Sequence, residues 1–268
     1  MPTVRELSEL YSNIMLGPRP GADVCTICFN FTRGYERCYA CAHGQSWLDA
    51  VAPVSYSVAR EQLHHALASY KRLTGEVARR FQVELAAVLW RFLADHERCI
   101  AQAAGADGFA LVTTVPSGDP GRDDAHPLRR IVGELVGPTR GRHERLLRRS
   151  SAKLGAREPS ADRYQATRPL DGEPVLLIDD TWTTGANAQS AAAALRLAGA
   201  GTVAVVVIGR HLNREWHEND RRLRGITRPY DWSRCAVCSG RPGATRFCAP
   251  AGAESDHRAS SAVVASRR

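Results

Sequence analysis

Two neighbouring carboxylates, Asp179 and Asp180, stand directly before the run Thr181, Trp182, Thr183, Thr184, Gly185. An apolar tetrapeptide at 175–178 precedes them, and an alanine-rich stretch follows from Gly185 to Leu197. Glycine allows the main chain to approach a phosphate closely, and a helix beginning there presents unpaired N–H groups and the positive end of its dipole. The hydroxyls of Thr183 and Thr184 add donors. The two acids would repel a bare polyphosphate, yet they suit the hydroxyls of a sugar or a hydrated Mg2+ ion. A phosphorylated sugar satisfies both halves of the run. An Asp-Asp-Thr sequence can also simply cap a helix; its coupling to a four-residue apolar strand and to TTG favours the phosphate reading. The lysine and glycine spacing of a P-loop and the GxGxxG fingerprint are both missing, which disfavours nucleoside triphosphates and dinucleotides.

The second concentration of chemistry is in the eight cysteines. Cys25, Cys28, Cys38 and Cys41 form two CxxC pairs with nine residues between them. Each pair places two thiolates on one metal through a tight turn, and four thiolates close the tetrahedral shell of a structural Zn2+. Redox activity is the competing reading of a single CxxC, and the doubled pair favours zinc. Cys235, Cys238 and Cys248 repeat the spacing of the first three, but residue 251 is alanine. A second site would therefore need a histidine: His217 is preferred to His211 and to His257, and the alternative is a CxxC without metal. Cys99 reads as a packing residue in a helix. His64, His65, His96, His126 and His143 read as surface or capping residues.

Positioning these groups requires a scaffold. The spacing predicts a short helix over 4–15, closed by Gly17, Pro18 and Pro20, and one or two amphipathic helices over 62–99 with Val77, Phe81, Leu85, Val88, Leu89 and Phe92 on one stripe. Residues 109–115 read as a strand and 127–136 as a helix. The arginine-rich stretch 139–160 reads as a solvated helix or mobile loop. Strand 175–178, helix 185–197 and strand 202–208 make a βαβ unit, whose parallel strands need a right-handed crossover. In an open parallel sheet, ligands bind beyond the carboxyl ends of the strands, where Asp179 to Gly185 would lie. The predicted division is an N-terminal helix over 1–20, a zinc module over 21–48, the main domain over 49–212, a cysteine-containing extension over 213–248 and a disordered tail over 249–268.

Composition limits the function classes. The chain has 268 residues, 44% of them hydrophobic, enough for one well-buried domain and a small appendage. It has no apolar run long enough to span a bilayer, and its charged, polar start is unlike a signal peptide, so a cytoplasmic location and no membrane partner are expected. In a reducing compartment the cysteines read as metal ligands before disulfides. The net charge of +8 points to a polyanionic partner, but Lys71 and Lys153 are the only lysines, so the arginines reflect a bias across the whole chain.

The run VLLIDDTWTTGAN, residues 175–187, resembles the phosphoribosyl pyrophosphate (PRPP) motif of type I phosphoribosyltransferases. The chain further resembles the ComF-type branch, in which a small cysteine-rich zinc module precedes the transferase domain and a helical stretch carries a lysine, as Lys71 does in HHALASYKR. The resemblance implies an α/β parallel-sheet type I phosphoribosyltransferase fold with a small N-terminal four-cysteine zinc module and a helical hood. It implies that Asp179 and Asp180 contact the ribose 2′ and 3′ hydroxyls as the catalytic acids, and that Thr181, Trp182, Thr183, Thr184 and Gly185 hold the 5-phosphate. Thr113, Thr114 and Ser117 in LVTTVPS would line the pyrophosphate end, and Arg163 would join them from the arginine-rich segment. PRPP with Mg2+ would then be the ligand, and a phosphoribosyl group would pass to an unidentified acceptor with release of pyrophosphate. Where the branch carries Arg-Gly-Phe-Asn, this chain has GDPGRDDAHPL. Two other readings stay open: a PRPP-sensing or DNA-uptake accessory protein without turnover, associated with competence machinery, and a zinc protein that binds single-stranded DNA.

Overall fold

The computed structural model describes residues 2–117, 123, 125–152, 154–155 and 157–239. The central sheet has four strands: β1 (Ala50–Val58), β2 (Leu111–Thr114), β5 (Pro174–Trp182) and β6 (Thr202–Leu212). All pairings are parallel, in the order β1-β6-β5-β2. A separate antiparallel pair joins β3 (Leu147–Arg149) to β4 (Tyr164–Ala166). Helices α1 (Val4–Ser12), α2 (Tyr39–His43), α3 (Gln62–Arg72), α4 (Gly75–Ala103), α5 (Pro127–Arg130), α6 (Gly137–Arg140), α7 (Ala186–Leu197) and α8 (Asn219–Arg224) complete the described elements, with a π-turn at Ile131–Leu135 after α5 and a 3-10 turn at Ala161–Arg163 before β4.

The period-2 geometry of strands sorts the core into two layers. Leu176, Ile178, Ala204, Val206 and Ile208 face a cluster built with α1, α3 and α4. Val175, Leu177, Val203, Val205 and Val207 face the other side, with α7, β4 and the cysteine module. Because both faces are covered, the strands read as continuous apolar runs, as parallel strands do. Helix α4, with 29 residues, is about 43 Å long and carries the largest buried stripe. Its Leu85, Val88, Leu89, Phe92 and Leu93 are buried, while Val77 and Phe81 lie toward the rim.

The predicted βαβ unit is present as β5, α7 and β6 with adjacent parallel strands. Of the one or two helices expected over 62–99 there are two, α3 and α4, separated by Leu73 and Thr74, and the expected stripe lies wholly on α4. Strand β1 is one that the sequence pattern concealed. Its Pro53 lacks an amide hydrogen, which a strand tolerates at a sheet edge, and β1 is an edge. The stretch 139–160 differs from its expectation. Its described residues include the end of α6 and strand β3, and its arginines are partly engaged: Arg142 makes a two-point contact with Glu97 at 2.7 and 2.8 Å and also donates to the carbonyls of Phe109 and Pro138. Neither terminal part stands apart, since Tyr11 from α1 and Trp232 from the extension lie in the same core cluster as α4. Residues 249–268 lie outside the described residues. Among the described residues, no helix is long and apolar enough to cross a membrane.

Candidate functional site

Strand β5 outruns its neighbour β2. Thr114 pairs with Ile178, and β5 continues through Asp179, Asp180, Thr181 and Trp182 while still paired to β6. The acid pair therefore sits on extended strand rather than in the turn after it, and the pleat sends the two side chains to opposite faces. Asp180 follows Leu176 and Ile178 toward α3. There Tyr70 donates its hydroxyl at 2.5 Å and Lys71 forms an ion pair with the same carboxylate oxygen. Tyr70 and Asp180 are buried, whereas Lys71 is 35% exposed at its side chain. Burial and the neighbouring Asp180 charge push the Tyr70 hydroxyl well above its ordinary pKa, so it stays a donor.

Asp179 is on the other face, partly exposed, and its Oδ1 accepts from the Asp180 amide at 2.9 Å. Its pKa is raised to about 7, first by desolvation and next by the Asp180 charge, with Lys71 pulling the other way. Tyr164 is close enough for the Asp179 charge to help raise its own pKa, and its hydroxyl reaches the Pro116 carbonyl at 3.4 Å. The two acids thus differ in kind: one is locked by a tyrosine and a lysine, and the other is partly exposed and near its titration midpoint at neutral pH.

Beyond the strand the chain turns sharply. Gly185 adopts φ +86° as the N-cap of α7, and an added Cβ would fall on the Trp182 ring, so both backbone and packing require glycine. Trp182, expected within the run that holds the 5-phosphate, is 2% exposed and its side chain packs with the α7 layer, so that only its main chain borders the loop. Its indole nitrogen has no hydrogen-bond partner among the described residues. The open part of the loop is Thr183, exposed, and Thr184, whose Oγ1 accepts from the Ala186 amide at 3.3 Å; Thr181 is part of β5. No acidic residue occupies the first turn of α7, leaving the positive end of the dipole uncompensated there.

The residues expected at the pyrophosphate end are less uniformly placed. Thr113 is buried and its Oγ1 accepts from the Leu146 amide at 3.2 Å, a structural role; Thr114 is buried at the end of β2. Ser117 lies next to them, its amide donating to Asp123 at 2.8 Å. Asp123, 4% exposed, also receives Arg129 and, at 3.0 Å, Arg145. Nearby His126 caps α5 through Nδ1 and is driven toward the neutral form by burial, while Asp180, Lys71, Asp123 and Arg129 all bear on its charge. A cleft of about 480 Å³ opens among His126, Arg129, Arg130 and His143. Arg163 is not directed at this region. It is 2% exposed, and its guanidinium donates to the carbonyls of Gly155 and Glu158 and to Ser190 on α7, so it fastens the 155–160 loop and is no ligand contact in this geometry.

The N-terminal cysteines converge as the spacing predicts. The four Sγ atoms of Cys25, Cys28, Cys38 and Cys41 lie within 4.8 Å of one another, a group that can hold a metal such as zinc. Two thiolates on one tetrahedral zinc, with bonds of about 2.3 Å, sit roughly 3.8 Å apart. Cys28 and Cys38 are at 3.6 Å. Phe29, directly after the first CxxC, takes φ +59°, and Cys38 starts the short helix α2. The module is tied to the loop by Arg210, a buried residue near the end of β6. Arg210 Nε donates to the Cys28 carbonyl at 3.0 Å, and Nη1 donates to the carbonyls of Trp182 and Thr183 at 3.2 Å and of His211 at 2.6 Å.

The remaining cysteines overturn the predicted ligand set. His217 is not beside Cys235 and Cys238; its Nδ1 accepts at 2.7 Å from Arg33, which belongs to the N-terminal cysteine module. Cys248 lies outside the described residues. Two residues read as surface and packing, His96 and Cys99, approach Cys235 and Cys238 instead. Tyr70, Asp123 and Arg210 escaped the sequence reading as well, whereas His126 is the capping residue expected. Only Arg210 carried a signal, as a charge closing the apolar run of β6. A scan against protein-family models and a search of curated proteins both found no match to this chain.

Proposed function

We propose that this protein is a type I phosphoribosyltransferase that binds PRPP at the carboxyl end of β5 and transfers its phosphoribosyl group to an acceptor. The carrying observation is the convergence of Tyr70 and Lys71 from α3 on Asp180, beside a glycine-terminated threonine loop. In this reading the amides of Thr183 to Gly185, the Thr184 hydroxyl and the start of α7 hold the 5-phosphate. Asp179 accepts a ribose hydroxyl from its partly exposed face. Asp180 accepts the other once Lys71, on its flexible stem, moves to the anionic leaving group; Tyr70 keeps the carboxylate oriented throughout. The cleft at His126 and Arg130 accommodates the pyrophosphate end.

The acceptor's nucleophile forms a bond to ribose C1 as the bond from C1 to the pyrophosphate oxygen breaks, and pyrophosphate departs with that electron pair. The transition state has oxocarbenium character, so positioning and electrostatic stabilisation supply the acceleration and no protein nucleophile is required. Among these side chains, the partly exposed Asp179 carboxylate is the one that fits a hydrated Mg2+. When bound with PRPP, that ion neutralises charge on the leaving group. The cysteines Cys25, Cys28, Cys38 and Cys41 would hold zinc, and four thiolates of this kind would supply a structural, not a catalytic, site.

The test is calorimetric and chemical. PRPP with Mg2+ should raise the melting temperature by mass action. Asp180→Asn and Thr184→Val should each weaken apparent affinity at least tenfold, a loss of about 1.4 kcal/mol or more. Pyrophosphate release should appear with one class among nucleobases, amines and ammonia. No PRPP-dependent shift up to millimolar ligand would refute the assignment; binding without release against every acceptor class would instead identify a PRPP sensor.

A further inference from the structure

The extension after α8 returns to the opposite face of the sheet from the N-terminal module and enters the core beside α4. Cys235 and Cys238 are 3% and 7% exposed there. His96 and Cys99 approach them from α4, where a spacing of three residues puts both on one face of the helix. The ligand atoms of His96, Cys99, Cys235 and Cys238 lie within 4.8 Å of one another, and all four residues are buried.

We propose that His96, Cys99, Cys235 and Cys238 bind a second structural zinc ion that clamps the C-terminal segment to α4. Three observations beyond proximity carry this. The imidazole is oriented as a ligand: Nε2 donates to the Trp232 carbonyl at 2.7 Å, which fixes the tautomer and leaves the Nδ1 lone pair facing the cluster, 4.0 Å from Cys99 Sγ. A metal-bound histidine almost always makes such an outer hydrogen bond, and a carbonyl is one of its usual acceptors. The CxxC turn is also arranged for thiolates. The Cys235 amide donates to Cys238 Sγ at 3.1 Å and the Cys238 amide to Cys235 Sγ at 3.3 Å, so backbone donors point at both sulfurs. Finally, the surroundings are apolar: Cys99, Cys235 and Cys238 belong to the same core cluster as Phe92, Ile100, Tyr230 and Trp232.

Cys99 is disulfide-bonded in this geometry, and the site proposed is that of the reduced chain. A dithiol reductant gives the S–S bond two electrons and two protons and becomes a disulfide; both sulfurs of the broken bond are released as thiols, and the Cys99 thiol loses its proton on binding metal. Three thiolates and one imidazole then form a closed tetrahedral set of the structural type, selective for a soft divalent ion over Mg2+ or Ca2+. The site is independent of PRPP chemistry and stands whether or not the transferase reading holds.

The experiment is metal analysis of the full-length protein purified under reducing conditions, with cobalt(II) substitution as a second readout. The expected result is two zinc ions per chain, one fewer in Cys235→Ser and in His96→Ala, with no loss in His217→Ala. His96→Cys, which supplies a fourth thiolate, should keep both ions. In the wild-type cobalt form, thiolate-to-metal charge-transfer absorption should correspond to seven thiolates. This readout needs no variant and so covers the case in which Cys235→Ser fails to fold. Zinc content unchanged in Cys235→Ser, cobalt absorption that accounts for four thiolates alone, or a disulfide involving Cys99, Cys235 or Cys238 in the metal-replete reduced protein overturns the proposal.

Discussion

Asp179 and Asp180 are adjacent in sequence and chemically unlike, because a strand sends alternate residues to opposite faces. Asp180 is engaged by Tyr70 and Lys71, whereas Asp179 has its proton affinity raised to about 7 by burial and by its neighbour's charge. A carboxyl whose folded pKa exceeds its unfolded value, about 3.9, retains its proton in the native state after the unfolded chain has lost it. Native protein then binds more protons between about pH 4 and 7, and this group makes stability fall as pH rises through that window. Ligand binding runs in the other direction, since an ionised Asp179 is the better acceptor for a sugar hydroxyl. Apparent PRPP affinity should therefore rise with pH up to about 7 and level above it. The ligand's own phosphates titrate near pH 6, so the decisive quantity is the difference from Asp179→Asn. That variant should bind more weakly at pH 8, approach wild type near pH 5.5 and show a flatter profile of melting temperature against pH. Isothermal titration across this range checks both signs, and parallel profiles for the two proteins would contradict the raised pKa.

At the scale of elements, the sequence revealed what is periodic or punctuated and concealed what is long-range. The βαβ unit was legible because β-branched strands and an alanine-rich helix are separated by glycine, and the four-cysteine module because ligand spacing is local. The pleat relation that parts Asp179 from Asp180 was obscured by ending the strand at Ile178, when pairing with β6 carries it to Trp182. Arg163 is an anion contact only by what the resemblance implies; the folded chain shows two carbonyls and a serine already receiving its donors. Arg210 is the converse case. It joins the cysteine module to the carbonyls of Trp182 and Thr183, so one buried guanidinium ties the module to the threonine loop. Removing it leaves the carbonyls it serves short of a donor, and each buried unsatisfied group costs about 1–3 kcal/mol. Arg210→Met should lower stability by roughly 3 kcal/mol and weaken PRPP binding while the N-terminal zinc is retained. Arg210→Lys should recover little, because a single ammonium cannot span a fork that serves both partners. Urea titration, zinc analysis and PRPP binding on the same preparations separate these effects; full affinity in Arg210→Met would show that loop and module are independent.

Across the whole molecule, part of the arginine surplus that suggested a polyanion is tied up in ion pairs within the fold. Arg168 pairs with Glu144 and Glu173, Arg214 with Glu61 and Asp220, Arg222 with Asp23, and Arg196 with Asp49. Most of these pairs join residues far apart in the chain, so charge here serves to connect elements more than to present one basic face. Sequence periodicity does not show that the N-terminal helix and the C-terminal extension share a partner, yet both pack into the core cluster of α4. Trp232 is where they meet. Its ring stacks edge-on against Tyr230 at 4.9 Å, lies under the Arg91 guanidinium at 4.2 Å, and its indole N–H donates to Ser12 at the end of α1 at 2.8 Å. Its carbonyl also receives His96. Trp232→Ala removes a buried aromatic from a shared core, a change that typically costs about 3–5 kcal/mol. Because the lost contacts belong to α1 and α4 together, amide exchange in α1 should accelerate along with that in the extension, while β5 and β6 keep their protection. Hydrogen exchange read by mass spectrometry tests this directly: faster exchange confined to residues after α8, with α1 unchanged, would mean that the two ends are held separately and that Trp232 anchors the extension alone.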